Sequence, residues 1–243
     1  MDHVKFVILS SARSGTSHLS VTLANTQSIY CHGEIFHADI TWHIKEEYKA
    51  ERDVVLRDRD PVAYVEDIYS FCPPGNTHVG FKLWRSQAPE ACDSILRDAS
   101  VRKIILEREN RLAAYSSGAK AQTSGIWNLV EGRKPNAAYA ARSIETFNAA
   151  GFLNFVKTQD DLFRYYSRNA NGPAIRVTYN DVVDNSAYET SLRFLGLAMP
   201  DERPRGKTKL NSSDILSRFA ESERAKVVKT VTEAGHPEWL AEG

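Results

Sequence analysis

Apolar positions fall along this chain in short blocks, and most of the blocks are followed by stretches with helical spacing. VKFVIL (Val4–Leu9), HVGFKLW (78–84) and VRKIILER (101–108) are nearly continuous apolar runs, the pattern of strands covered on both faces in a parallel sheet. AIRVTYNDVV (174–183) reads as a further strand entering a turn. Helices are predicted over Ser17–Asn25, from about Pro89 to Asp98, from Asn110 towards Lys120 and over Tyr188–Leu197. The intervals 40–70 and 135–170 are expected to be mainly helical. This alternation predicts an α/β fold with an open, mainly parallel sheet flanked by helices. Pro73-Pro74-Gly75-Asn76 reads as a sharp turn, and with no repeat or linker a single domain over 1–243 is expected.

Composition narrows the partners. A chain of 243 residues can bury a proper core. Lys+Arg and Asp+Glu are both 31, so no global field recruits nucleic acid or an anionic membrane, and an anionic ligand must be met by local groups. No stretch approaches the ~20 apolar residues that span a bilayer, and the first apolar run is too short for a signal peptide. Cys31, Cys72 and Cys92 form an odd set without metal-ligand spacing, which predicts reduced thiols and a cytoplasmic location. Asn211-Ser212-Ser213 is a sequon read as coincidence in a chain without secretory routing. Cys31, His32, His37 and His43 lack a second close ligand pair, so no metal is expected.

The first strand runs into SSARSGTS (10–17), at the carboxyl edge where open α/β sheets bind ligands. Gly15 lets the backbone pass close to a ligand, and Ser14, Gly15, Thr16 and Ser17 can turn N–H groups inward. The following helix contributes unpaired first-turn N–H groups and its positive dipole end. Arg13 adds permanent charge. The alternative is a simple helix cap built from the same residue types. A Walker A string, G-x-x-x-x-G-K-[ST], is absent, which disfavours magnesium-dependent ATP or GTP hydrolysis.

ARSGTSHL (12–19) resembles the 5′-phosphosulfate loop of the sulfotransferases, an R/K-S-G-T-[ST]-x-L string after the first strand. ILERENRLAAYSSGAKAQTSGIW (105–127) resembles the family's 3′-phosphate segment, which places that role on Arg108 and Ser116. CHGEIF (31–36) and GFKLW (80–84) are similar to the G-E-x-F and G-[FL]-K-L segments of bacterial carbohydrate sulfotransferases. TYNDVV (178–183) stands where many members have Tyr-Glu-Asp-Leu; Asn180 replaces the glutamate, so no catalytic role is assigned there. Arg205, Lys207 and Lys209 lie where a late basic loop covers the 3′-phosphate, although the family's Arg-Lys-Gly order is absent and a solvated loop is the alternative.

The resemblance implies a P-loop NTPase-like sulfotransferase fold, the donor 3′-phosphoadenosine 5′-phosphosulfate, and a glycan or small-molecule acceptor. Arg13 would act electrostatically on the 5′-phosphate, because arginine cannot donate a proton at neutral pH. Glu34 is the expected general base, with a salt bridge to Arg13 or Lys82 as its alternative role; His32 and His37 are rival bases. Lys82, in mid-strand, is a catalytic candidate that would contact the sulfonate, the acceptor or Glu34, with a lysine snorkelling to an edge as the alternative. Trp42, Trp84 and Trp127 offer flat faces for an acceptor, Trp127 as a lid residue after the Ser124-Gly125 break. Two other readings stay open: a P-loop-related small-molecule kinase, and a non-catalytic nucleotide-binding protein. Neither the acceptor nor the oligomeric state is legible.

Overall fold

The apolar runs do become the middle of a sheet. The computed structural model describes residues 3–40, 43–52, 54–127, 143–202, 204–207 and 211–242. Its strands are β1 (Val4–Leu9), β2 (Ile29–Glu34), β3 (His78–Leu83), β4 (Arg102–Glu107) and β5 (Ala174–Thr178). They pair wholly in parallel in the order β2-β3-β1-β4-β5, with β1 central. Around them lie α1 (Thr16–Ala24), α2 (Glu46–Glu51), α3 (Leu56–Arg59), α4 (Pro61–Ser70), α5 (Pro89–Arg97), α6 (Arg111–Ser124), α7 (Ala149–Asn169), α8 (Tyr179–Val183), α9 (Ser186–Leu195) and α10 (Glu221–Glu233).

Strand periodicity sorts the core into two layers. Val7 and Leu9 of β1 face a cluster with residues of α4, α5 and α7, including Ile68, Ile95 and Phe163. Phe6 and Ile8, pointing the other way, join Leu19 and Leu23 of α1 and Leu192 and Leu195 of α9. Both faces are therefore apolar, which is why β1 lacks the alternation of a half-exposed strand. A third cluster gathers Leu112 of α6, Phe152 of α7, Val227 and Val231 of α10, and Phe147, Phe219 and Trp239. This satellite core holds the last part of the chain against α6.

Local signals set the ends of the elements. Asp60 caps α4 by accepting from the N–H groups of Val62 and Ala63, with Pro61 in the first turn. Asn110 caps α6, and Gly125, in the left-handed region, closes it. The strand that opens 174–183 ends at Thr178. There Thr178 and Asp181 form a reciprocal capping box, and α8 begins at once. The helical interval 40–70 contains α2, α3 and α4. In the interval 135–170, α7 supplies the helix, and residues up to 142 lie outside the described ones. Among the described residues no helix is long and apolar enough to cross a membrane.

Lys103 shows how the sheet tolerates a charge. It is fully buried in β4, and its Nζ donates to the carbonyls of Asp98 and Asn171, tying the end of α5 to the turn before β5. Burial lowers its pKa. Lys103→Met keeps the apolar stem and orphans both carbonyls. It should cost about 1–3 kcal/mol in urea denaturation, and an unchanged midpoint would show that water satisfies those carbonyls instead.

Candidate functional site

The loop after β1 forms a tight cradle. Arg13 (φ 65°) and Gly15 (φ 88°) both lie in the left-handed region, so the backbone turns twice within three residues. That geometry aims successive N–H groups towards one side. At Gly15 a side chain is excluded twice, by φ and because a Cβ would come 3.0 Å from the Tyr179 ring. Helix α1 starts without a side-chain cap, and of its first-turn N–H groups that of His18 donates to the Gly15 carbonyl at 3.0 Å. Ser14 and Thr16 are buried, and Ser11 and Ser14 bond to each other at 3.1 Å. The Arg13 guanidinium reaches α6, donating to Ser117 Oγ (2.9 Å) and the Trp127 carbonyl (2.6 Å).

Beside this cradle a bulge positions a buried ion pair. In the β2–β3 ladder Cys31 faces Gly80, yet Glu34 faces Lys82, so β2 carries one extra residue between them. The bulge moves Glu34, instead of Gly33, opposite the lysine. Gly33 is needed there because its N–H donates to the His43 carbonyl at 2.7 Å, and a Cβ would strike the His43 ring. Lys82 and Glu34 are 4% and 6% exposed and meet at 3.0 Å. Lys82 Nζ also donates to Ser17 Oγ in α1 (2.9 Å), and Gln87 donates to the second Glu34 oxygen (2.9 Å). A chain of contacts thus runs Ser17–Lys82–Glu34–Gln87. Gln87 also lines a cavity of about 520 Å³ with Phe36, Arg57, Asp58, Pro61 and Glu90.

On the other side of β1 a second group of cations assembles. Arg108, just past β4, donates Nη1 to the Arg13 carbonyl (2.9 Å) and stacks on Tyr179 with its centre 4.0 Å from the ring centroid. Tyr179 therefore touches both the cradle at Gly15 and Arg108. Burial raises its pKa against the opposing charge of Arg108. The Arg108 fork grips Glu242 through Nε (2.7 Å) and Nη2 (2.5 Å). Arg218 Nη2 stands 4.0 Å from the same carboxylate. Ser116 is fully buried: its Oγ donates to the Ala113 carbonyl (3.2 Å) and accepts from Arg218 (3.0 Å). Burial, and next the charge of Arg218, lower the pKa of Lys120.

The remaining residues singled out by sequence are placed differently. His32, within β2, is buried edge-on to Tyr30 and Tyr48, and its Nδ1 accepts from the Lys45 N–H at 3.1 Å. Burial, with a smaller effect of Lys45, pushes its pKa down to about 3. His37 is half-buried and stacks on His43 at 4.3 Å. The Nδ1 of His43 accepts from the Glu34 N–H (3.1 Å), and burial lowers its pKa. Arg205 and Lys207 lie beside α1: the Arg205 carbonyl accepts from Asn25, and the Lys207 backbone bonds to His18. Lys209 and Trp42 lie outside the described residues. Trp84 is partly buried and Trp127 is 47% exposed. Among the described residues no group of three His, Cys, Asp or Glu is placed to hold a metal ion.

Four participants were not singled out from the sequence. Gln87, Tyr179, Arg218 and Glu242 are ordinary residues until the fold brings them to Glu34, Arg108 and Ser116. For Tyr179 alone a hint existed, in the TYNDVV string.

No protein-family model matches the chain, and no curated protein matches it. Solved structures do overlap it. A sulfotransferase from Alicyclobacillus acidocaldarius is 14% identical, with 98% of this chain and 99% of that chain covered and a TM-score of 0.48. Mouse sulfotransferase SULT7A1 complexed with PAP is 12% identical, covering 95% and 83%, with a TM-score of 0.47. A retinol dehydratase in complex with retinol and PAP is 15% identical, covering 96% and 81%, with a TM-score of 0.44. Overlaps this shallow assign no activity to this chain.

The depressed pKa of His32 has a thermodynamic consequence. The unfolded imidazole binds protons near pH 6.5, whereas the folded one resists them down to about 3. Stability from this group is complete above about pH 6.5 and is lost progressively as pH falls towards 3. Between pH 7 and pH 5 the loss should be about 2 kcal/mol. His32→Asn, which keeps an acceptor for Lys45, should flatten that part of the urea-midpoint profile; an equally steep profile would assign the loss to other groups.

Proposed function

We propose that the chain is a sulfotransferase that takes its sulfuryl group from 3′-phosphoadenosine 5′-phosphosulfate. The observation that carries this reading is the coupling of two anion-seeking regions through one bond, Arg108 Nη1 to the Arg13 carbonyl, at the ends of the adjacent strands β1 and β4. The ARSGTSHL and ILER segments that resemble the family's two phosphate-binding segments are thereby neighbours in space. The residues fit such a ligand. The uncapped start of α1 and the double left-handed turn suit a tetrahedral 5′-phosphate. Arg108 suits the 3′-phosphate, and Tyr179 fills the space between the two regions.

When bound, the donor supplies an activated sulfonate with a phosphate as leaving group. The chain's own part is placement and charge stabilisation. Ser14, Gly15, Thr16 and Ser17 present N–H and hydroxyl donors to the 5′-phosphate, and Arg13 adds positive potential beside them. Lys82, already on Ser17 Oγ, turns its ammonium towards the negative charge gathering at that end of α1. Glu34 then has an oxygen available for the acceptor hydroxyl and takes its proton as the new S–O bond forms and the bond from sulfur to the phosphate oxygen breaks. Gln87 holds the other Glu34 oxygen and so fixes the carboxylate plane.

The acceptor enters through the cavity that ends at Gln87, where Phe36 and Pro61 give apolar faces and Asp58 and Glu90 give hydroxyl acceptors. A small alcohol or glycan suits that lining. His32 is set aside as the base because it is packed in the core and holds the Lys45 N–H. His37 stands one turn from Glu34 and is the residue to examine next.

Two variants test this reading. Glu34→Gln should keep calorimetric binding of adenosine 3′,5′-bisphosphate while transfer from labelled donor falls by about 10²-fold or more; undiminished transfer would move the base to His37. Arg108→Ala should abolish the preference for the bisphosphate over adenosine 5′-monophosphate. An unaltered preference would remove Arg108 from the donor site. Magnesium-dependent release of phosphate from ATP would point to a kinase instead.

A further inference from the structure

The two arginines near Ser116 already hold an anion, and it belongs to the chain itself. Glu242 is 6% exposed, and its carboxylate lies in the Arg108 fork in the two-point geometry that guanidinium groups also offer to phosphates. Arg218 approaches the same oxygen at 4.0 Å. Each arginine has anchors besides Glu242. Arg108 is fixed by the Arg13 carbonyl and the Tyr179 ring. Arg218 is fixed by the carbonyls of Ala113 and Ser212 and by Ser116 Oγ. Without the carboxylate, a two-arginine cradle would remain.

We infer that Glu242 is a built-in competitor for this cradle: its carboxylate occupies the subsite of a phosphate monoester, and the donor's 3′-phosphate enters by displacing it. The name of the ligand rests on the sulfotransferase reading, whereas the existence of the anion subsite does not. A monoester phosphate brings up to two charges and three oxygens where the carboxylate brings one charge and two oxygens, so it can satisfy both arginines together. Displacement needs little movement. Asn110 Nδ2 holds the carbonyls of Trp239 and Ala241, and Trp239 stays in the satellite core. The Glu242 N–H donates to the Ser213 carbonyl, and this bond is released as the carboxylate turns away. A cavity of about 250 Å³ lined by Arg108, Asn110, Tyr179, Trp239 and Glu242 opens beside it.

Calorimetry on the full chain and its Glu242→Gln variant tests the inference. Affinity for adenosine 3′,5′-bisphosphate should rise about tenfold or more in the variant, as removal of a competing charge-assisted pair predicts, while affinity for adenosine 5′-monophosphate stays unchanged. Unchanged or weaker bisphosphate binding by a folded variant overturns the proposal. A second measurement needs no variant: hydrogen exchange of residues 236–242 in the wild-type chain should speed up when the bisphosphate binds, and equal or slower exchange in the bound state overturns it too. If neither nucleotide binds either protein, the sulfotransferase reading fails and inorganic phosphate decides the rest. Phosphate raising the Tm of Glu242→Gln, but not of the wild type or of Glu242→Gln combined with Arg108→Ala, supports the subsite; no such rise removes it.

Discussion

A cation taken out of water needs an anion or well-placed carbonyls close by, and the pairing with anions organises the carboxyl edge of the sheet. Lys82, Arg108 and Arg218 are each no more than 4% exposed. Bringing any of them into the fold unpaired would cost several kcal/mol. The chain answers with two carboxylates from distant places, Glu34 at the end of β2 and Glu242 near the end of the sequence. The β2 bulge and the return of the chain past Trp239 are the structural means. Both serve to deliver a negative charge to a strand end that already holds a positive one.

Such pairs are poor investments for stability alone, since apolar residues of equal volume often do as well. Their distribution argues for another purpose. Lys82 divides its donors between Glu34 and Ser17, so one side faces that carboxylate and the other the start of α1. Arg108 divides its own between Glu242 and the Arg13 carbonyl. Each cation touches the loop after β1 with one hand and a carboxylate with the other. A ligand anion at the start of α1 would therefore compete with Glu34 for Lys82, and one beside Arg108 with Glu242.

How much of this was legible follows from where each residue gets its role. β1, β3 and β4 are apolar on both faces, so their runs stood out along the chain. β2 is harder: IYCHGE mixes aromatic, thiol, imidazole and carboxylate because its end bulges out of register to place Glu34. The turn expected after the last strand is a short helix, since Thr178 and Asp181 form a helix cap from residues that also suit a turn. Helix α10 left no clear trace because only Val227 and Val231 of its thirteen residues are buried. The loop around Gly15 was readable because its function lies in contiguous residues. Arg218 and Glu242 were not, for their meaning depends on contacts across 102 and 134 positions.

Long-range pairs of that kind also bear on why Ser116 sits fully buried while a nearby serine, Ser117, holds Arg13 and Asn211. Ser116 touches no open space, so it cannot meet a ligand directly in this arrangement. It can set the height of Arg218, whose Nη1 it shares with the Ala113 carbonyl. A hydroxyl on one turn of α6 thereby orients the guanidinium, and the guanidinium faces the anion. The serine expected to bind a phosphate is thereby buried behind an arginine and holds that side chain through its hydroxyl.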